Sequence, residues 1–249
     1  NLYAYGSSQS QVDMTVADDI VSKLKNIAAK QGVNYPGAFS TEDIYTKSTK
    51  AGVKLDWNIN ESNKFTIRWS LVDAKQLNNG GGIRSLNDNL YSYPFKSTTN
   101  SYIAELQSRI SPSLSNEARA SYVRVRDKRD VGAPFPSITI SGVGGGTINL
   151  GNERSSMANS LDQDIWTLED NLTWYKGNHT LTFGTHNEIY DFSNLFIQDL
   201  YGTYNFQTPD DFNRYYDDYM DDGQLDPTKS YINYYRYGHA NVDVTGDPR

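Results

Sequence analysis

The sequence predicts an all-β protein: an antiparallel segment of a transmembrane β-barrel, with long loops and one short loop helix. Three observations carry that expectation. Apolar and polar residues alternate with period two over stretches of about ten residues, long enough for a tilted strand to cross a bilayer. Short polar turns at 60–64, 111–117 and 176–179 alternate with long loops at 75–99 and 129–161. Compact soluble domains rarely hold several such loops, whereas membrane barrels have short turns on one side and long loops on the other. Finally, Trp57, Phe65, Trp174, Tyr175 and Phe183 all stand beside the short turns, where an interfacial aromatic girdle belongs.

Composition narrows the function classes. The 249 residues include 19 Tyr, 9 Phe and 4 Trp, an aromatic load suited to girdles or to sugar- and peptide-binding surfaces. The mean hydropathy of -0.67 is polar, and no run approaches the roughly 18 apolar residues of a membrane helix. That excludes helical spans only, because a barrel strand shows lipid just its alternate residues. Cysteine is absent, which removes disulfide frameworks and thiolate metal sites. A net charge of -7 argues against nucleic acid as a partner. No charged and apolar leader follows Asn1, and Thr245–Arg249 reads as a loop rather than a closing strand. The expectation is a mid-barrel portion, its six to eight strands forming an open curved sheet with two unpaired edges.

The elements follow in order. Residues 15–32 read as one amphipathic helix, with Val16, Ile20, Leu24 and Ile27 on one stripe, Thr15 as N-cap and Gly32 as stop. Its expected role is a loop helix packed on its neighbours. The first hairpin runs from Thr49 to Ile59 and on through Phe65, Ile67, Trp69 and Leu71, with odd positions apolar and Lys54, Asp56, Arg68 and Ser70 opposite. A second hairpin places Tyr102, Ala104, Leu106 and Ile110 against Glu105, Gln107 and Arg109. Its return strand, 118–128, changes parity between Tyr122 and Val123, which a β-bulge near Tyr122 would reconcile. The third hairpin sets Trp166, Leu168, Leu172 and Trp174 apart from Thr167, Glu169 and Thr173, then Leu181, Phe183 and Ile189 apart from Thr182, His186 and Glu188. Asp170 breaks this pattern, since its parity points it at lipid; either it sits near the interface or the register is shifted. The Tyr- and Asp-rich remainder suggests strands near 201–206 and 231–244.

No catalytic set emerges, and the expectation is a protein that is not an enzyme and needs no cofactor. His179, His186 and His239 lack metal spacing and read as structural or solvated. The glycine triplets 80–82 and 144–146 lack the Lys-Ser/Thr of a phosphate loop, and no G-x-S-x-G occurs. The acidic run offers a weak calcium candidate in Asp218, Asp221, Asp222 and Asp226, although Met220 and Lys229 stand where ligands belong, and a solvated acidic loop is the simpler reading. Lys54, Arg68, Glu105, Arg109 and Glu188 are the candidates to face the lumen, where they line a wet wall, brace a plug or touch a transported ligand.

The segments Lys50–Asn60 with Phe65–Ser70, and Asp170–Gly184, resemble barrel hairpins of the Oar-like TonB-dependent receptors of Bacteroidetes-type bacteria, and the likeness extends over about 15–245. The resemblance implies an outer-membrane barrel of 22 strands around a plug, with residues 1–249 forming part of that one barrel domain and the plug and C-terminal strand lying outside them. It implies active uptake of a ligand whose class stays open, driven by the TonB energy-coupling complex through the plug. Its partners would be outer-membrane lipid and, as a further candidate, a surface lipoprotein. The runner-up is a soluble β-sandwich binding glycan or peptide through exposed aromatics, which requires shorter strands with turns every 8–12 residues or so. A hydrolase on a β scaffold comes third, for want of a catalytic set.

Overall fold

The computed structural model describes residues 11–40 and 42–239. In chain order the elements are α1 (Met14–Lys30), β1 (Thr46–Asn60), β2 (Asn63–Asn78), β3 (Ser85–Asn87), β4 (Tyr93–Ser111), β5 (Leu114–Arg129), β6 (Ser137–Val143), β7 (Gly146–Leu150), β8 (Ala158–Lys176), β9 (His179–Ile197), β10 (Thr203–Phe206), α2 (Pro209–Asp222) and β11 (Tyr234–Arg236). They form two sheets. A long sheet has the order β1-β2-β4-β5-β8-β9, every neighbour antiparallel, and a small mixed sheet has the order β11-β10-β6-β7-β3. No closed barrel is found among the described residues; β1 and β9 are edges.

The three predicted hairpins are present, and tighter than expected. Their connections shrink to residues 61–62, 112–113 and 177–178. Gly177 supplies the left-handed backbone of the last (φ 58°). The strands are 15 to 19 residues long, beyond what a bilayer requires, so they continue past the apolar band toward the long loops. Pairing of β4 with β5 runs without interruption from Phe95–Arg129 to Arg109–Ser115. The bulge expected near Tyr122 is therefore absent. Tyr122 keeps the face of Ala118 and Ala120, and Val123 and Val125 lie on the opposite face.

The long loops are folded, contrary to their reading as unstructured connections. Together with the N-terminal helix and the segment after β9 they build a cap with its own core. Ile20, Leu24, Ile27, Leu86, Ile138, Ile140, Val143, Ile148, Leu150, Phe206 and Phe212 are buried there, and no residue of the long strands joins that cluster. Helix α1 starts one residue before the sequence suggested because Asp13, not Thr15, is the cap: its carboxylate accepts from the Thr15 and Val16 N–H groups at 3.0 and 3.3 Å. Helix α2 occupies what reads as an acidic loop. Thr208 and Asp211 form a reciprocal capping box, Pro209 takes the first turn, and Gly223 ends the helix at φ 84°. Lys30 closes the far end of α2 by donating to the Tyr219 and Met220 carbonyls at 2.8 and 2.9 Å.

Buried polar groups tie the cap together. Asp88, fully buried, accepts from the Tyr35 hydroxyl and from the Leu90, Tyr91 and Gly151 N–H groups. Burial outweighs these bonds and pushes its carboxyl up to about 6; burial also raises the Tyr35 phenol, with Asp88 adding to the effect. Arg154 clasps Asp199 bidentately at 2.9 and 2.8 Å, and Thr203 donates to the same carboxylate at 2.6 Å.

Candidate functional site

The long sheet has two unlike faces, and the register determines what each carries. One face shows a line of aromatics on adjacent strands: Trp69 opposite Tyr102, Tyr102 opposite Tyr122, Tyr122 opposite Trp166, flanked by Val53 and Ile189. The Tyr122 ring stacks 4.4 Å from Trp166 and 6.1 Å from Tyr102. Nearer the short turns the same face carries Leu55, Trp57, Leu168, Trp174 and Phe183, all exposed. Tyr175 does not belong to this set, because its parity turns it to the other face.

The other face is charged. Asp56, Thr66, Glu105, Arg119, Glu169 and His186 stand in one line across all six strands. Arg119 is the hub: its guanidinium lies 2.9 Å from Glu105, 2.9 Å from Glu117 and 3.2 Å from Glu169. His186 bridges two carboxylates, with Nδ1 at 2.7 Å from Glu169 and Nε2 at 3.2 Å from Glu188. At the other end Asp56 receives Lys54 at 3.0 Å, Lys64 at 3.3 Å and the Thr66 hydroxyl at 2.6 Å. A recess of about 330 Å³ opens among Lys54, Lys64, Arg68, Glu105, Gln107 and Arg119. Toward the short turns the face hollows into an open concavity of about 1060 Å³ that includes Lys64, Arg109, Glu117 and Tyr175.

All five residues expected to face the lumen lie on this charged face. Lys54, Arg68 and Glu105 share the recess, Arg109 lies in the larger concavity, and Glu188 meets His186 at the far edge. The polar parity of Glu169 and His186 is legible strand by strand; the hub residue Arg119 and the pairing of Glu169 with Arg119 and His186 are not. Counting outward from the 177–178 turn sets Glu169 opposite His186, but the same count from the 112–113 turn sets Arg119 opposite Leu106, because the register shifts by one residue between Arg109 and Ser111. His239 lies far from this line, in a hollow that includes Arg129 and Tyr201.

Asp170 does belong to the apolar face. It pairs across to Ala118 and Thr185, and the Asn116 side-chain amide donates to its carboxylate at 2.7 Å. The suspected register shift is thus not present. The calcium candidate fares differently. Asp218 accepts from the Asp226 N–H at 2.6 Å and from Lys229 at 2.8 Å, which hold its carboxyl down to about 2. Asp226 is engaged by Thr228, and Asp222 by the Gln224 N–H. Among the described residues no three acidic, His or Cys side chains converge on a common point.

A family model described as "Outer membrane beta barrel domain" matches residues 7–240. Among solved structures, the outer membrane transporter YddB from Escherichia coli is similar, with a TM-score of 0.45 and 11% identity over 64% of this chain and 21% of that one. The chain thus spans about a fifth of that transporter's length. No curated protein matches.

Proposed function

The chain belongs to the outer membrane β-barrel domain family and resides in the bacterial outer membrane, and on that premise we propose that it forms part of the wall of a receptor that takes up its ligand by TonB-coupled active transport. In this reading the aromatic face meets lipid, the charged face lines the interior, and the cap lies outside the cell. The wall positions and steers; it performs no chemistry.

The observation that supports this reading is the separation of the two faces. A sheet whose large apolar side chains are exposed on one side, with ion pairs on the other, is stable only if hydrocarbon covers the first and water or a plug fills the second. The competing β-sandwich would bury the apolar face against a second sheet. Here the second sheet packs into the cap core instead.

Arg119 and its three carboxylates brace one another and leave a wall of mixed charge, suited to a polar ligand or to the polar flank of a plug. The transport reading is tested by comparing growth media depleted by cells with and without the intact protein. At least one peptide, glycan or chelate should disappear only when the protein is present, and depletion should stop when a protonophore collapses the inner-membrane gradient. Depletion that continues after collapse would indicate a passive pore and overturn the coupling.

A further inference from the structure

The charged face does not stay charged along its whole height. On β5, β8 and β9 it changes character one residue beyond the aromatic line, on the side toward the cap. Val123 stands opposite Ile165, and Ile165 opposite Tyr190; one step further, Val125 stands opposite Gln163, and Gln163 opposite Phe192. The residues between them on the same strands take the aromatic face and are charged: Arg124, Asp164 and Asp191 form one row, and Arg126 and Asp162 belong to the next. Toward the short turns, large apolar side chains take the aromatic face and charges the other. Toward the cap, on these three strands, the facing is inverted.

The inversion is local. On β1, β2 and β4 the same two rows hold Gly52, Ser70 and Ser101, then Lys50, Val72 and Thr99. Three strands about 4.8 Å apart make the patch roughly 10 Å wide, the size of one or two side chains. Tyr190 and Phe192 are 52% and 54% exposed, with ring centroids 5.4 Å apart and planes at 45°. The Tyr190 hydroxyl donates to Glu188, which ties the ring to the charged rows. Val123, Val125 and Ile165 are half-buried. In the proposed orientation this patch looks into the interior, above the rows of ion pairs.

Gln163 stands inside the patch, between Val125 and Phe192. Among the described residues its side-chain amide has no partner; Arg126 takes its main-chain carbonyl, at 3.0 Å. Once the patch is covered, an amide among apolar side chains is costly unless its partner comes with the cover. A group that both accepts from its NH2 and donates to its oxygen is another amide. Lipid is not that occupant, because hydrocarbon meets the other face and that face is charged at this height. A sugar fits poorly, since it stacks on a flat ring, whereas these two rings are tilted and the other three apolar side chains are aliphatic.

We propose that the patch binds a peptide, seating an apolar side chain against Val123, Val125, Ile165, Tyr190 and Phe192 while a peptide bond pairs with Gln163. An apolar seat with one placed polar group is the usual way a site fixes a small ligand. The rest of a short peptide lies over the neighbouring rows of carboxylates and guanidinium groups, which suit its polar main chain. The inference rests on the reading of the charged face as the interior of an uptake receptor, and it adds the class of ligand.

The test uses the intact protein in neutral detergent, dialysed to equilibrium against an equimolar library of blocked tetrapeptides and, separately, against maltohexaose. Half of the library carries leucine, phenylalanine or valine at its two central positions, and half carries serine, glycine or asparagine. Bound ligand is counted by mass spectrometry. Apolar tetrapeptides should be held at least about tenfold over polar ones, from the burial of one side chain, and maltohexaose should not be held. Tyr190→Ser with Phe192→Ser should abolish the preference, and Phe192→Leu should keep it. Gln163→Leu should weaken peptide binding about fivefold and leave the preference in place. Heat-modifiable migration like the parent's separates lost binding from lost folding. Equal binding of both halves, binding of maltohexaose instead, or a double serine variant that binds as the parent does would each overturn the proposal. Energy coupling plays no part in this assay. Peptide binding without protonophore-sensitive depletion would overturn the transport reading alone, and sensitive depletion without peptide binding would overturn this inference alone.

Discussion

Ile148 in the cap and Ile189 in the long sheet are the same residue in the same kind of element, yet the first is 0% exposed and the second 60%. Ile148 belongs to a core that the cap makes for itself, from two helices and a mixed sheet. Ile189 stands beside a line of stacked aromatics on a face that no other part of the described chain covers. Each isoleucine gains roughly 1.5–3 kcal/mol from leaving water, and in the proposed orientation the medium that receives Ile189 is lipid. The difference teaches that the two regions are stable under different conditions: the cap carries its own apolar solvent, and the wall borrows one.

The largest effects should come from crossing that division. Ile148→Ala should cost the cap about 2–5 kcal/mol, the usual range for emptying a packed core site. Hydrogen exchange of cap amides should speed up while exchange in β4, β5 and β8 stays as in the parent. Equal acceleration in both regions would mean that they share a core after all.

Leu168→Arg addresses the wall. It lies between Trp166 and Trp174 on the aromatic face, and a cation near the bilayer midplane costs about 2–4 kcal/mol. Folded yield in vesicles, read from heat-modifiable gel migration, should fall for Leu168→Arg and not for Lys54→Gln on the charged face. The reverse order would invert the assignment of the faces.

A smaller effect is expected from Thr208→Ala, which removes the hydroxyl that accepts from the Asp211 N–H and leaves the bond from the residue-208 N–H to the Asp211 carboxylate in place; it should cost about 1 kcal/mol, visible as faster exchange confined to α2 and its packing partners.

The smallest effect concerns pH. The Asp88 carboxyl is raised to about 6, so the folded cap holds a proton that the unfolded chain has released. Cap stability should therefore fall as pH rises from about 4 to about 6. Asp218, held down to about 2, has the opposite sign: its contribution is present above about 4 and is lost as pH falls toward 2. Asp88→Asn should flatten the upper slope only. An unchanged slope in the variant would assign the effect to other groups.

These contrasts also explain what was legible in the sequence. A strand's period of two made the wall readable residue by residue, so Lys54, Arg68, Glu105, Arg109 and Glu188 fell on one face without any knowledge of tertiary contacts. The Arg119 hub was hidden because its strand seemed to change parity at Tyr122. Apolar residues need not all share the aromatic face: Val123 and Val125 lie on the charged face, and Arg124 and Arg126 lie on the aromatic face beyond its apolar rows.

The cap was harder, because its core is assembled from short runs far apart in the chain, such as Ile138 with Ile140, Ile148 with Leu150, and Phe206. None of these is long enough to show a period. Helix α2 carries legible signals: Thr208-Pro209-Asp210-Asp211 is a helix start, and Phe212, Tyr215, Tyr216 and Tyr219 form a helical stripe. The abundant aspartates mask that stripe, because they lower the mean hydropathy of the segment to that of a solvated loop.

The central claim is that the long sheet is a membrane wall with the cap on one side and the short turns on the other. The described chain carries no cysteine, so single cysteines placed at Lys25 on α1 and at Glu61 in the first short turn report directly on sidedness. With an impermeant thiol reagent on whole cells, Lys25→Cys in the intact protein should be labelled at once. Glu61→Cys should be labelled only after the outer membrane is permeabilised. Equal labelling of both positions on intact cells would contradict the account.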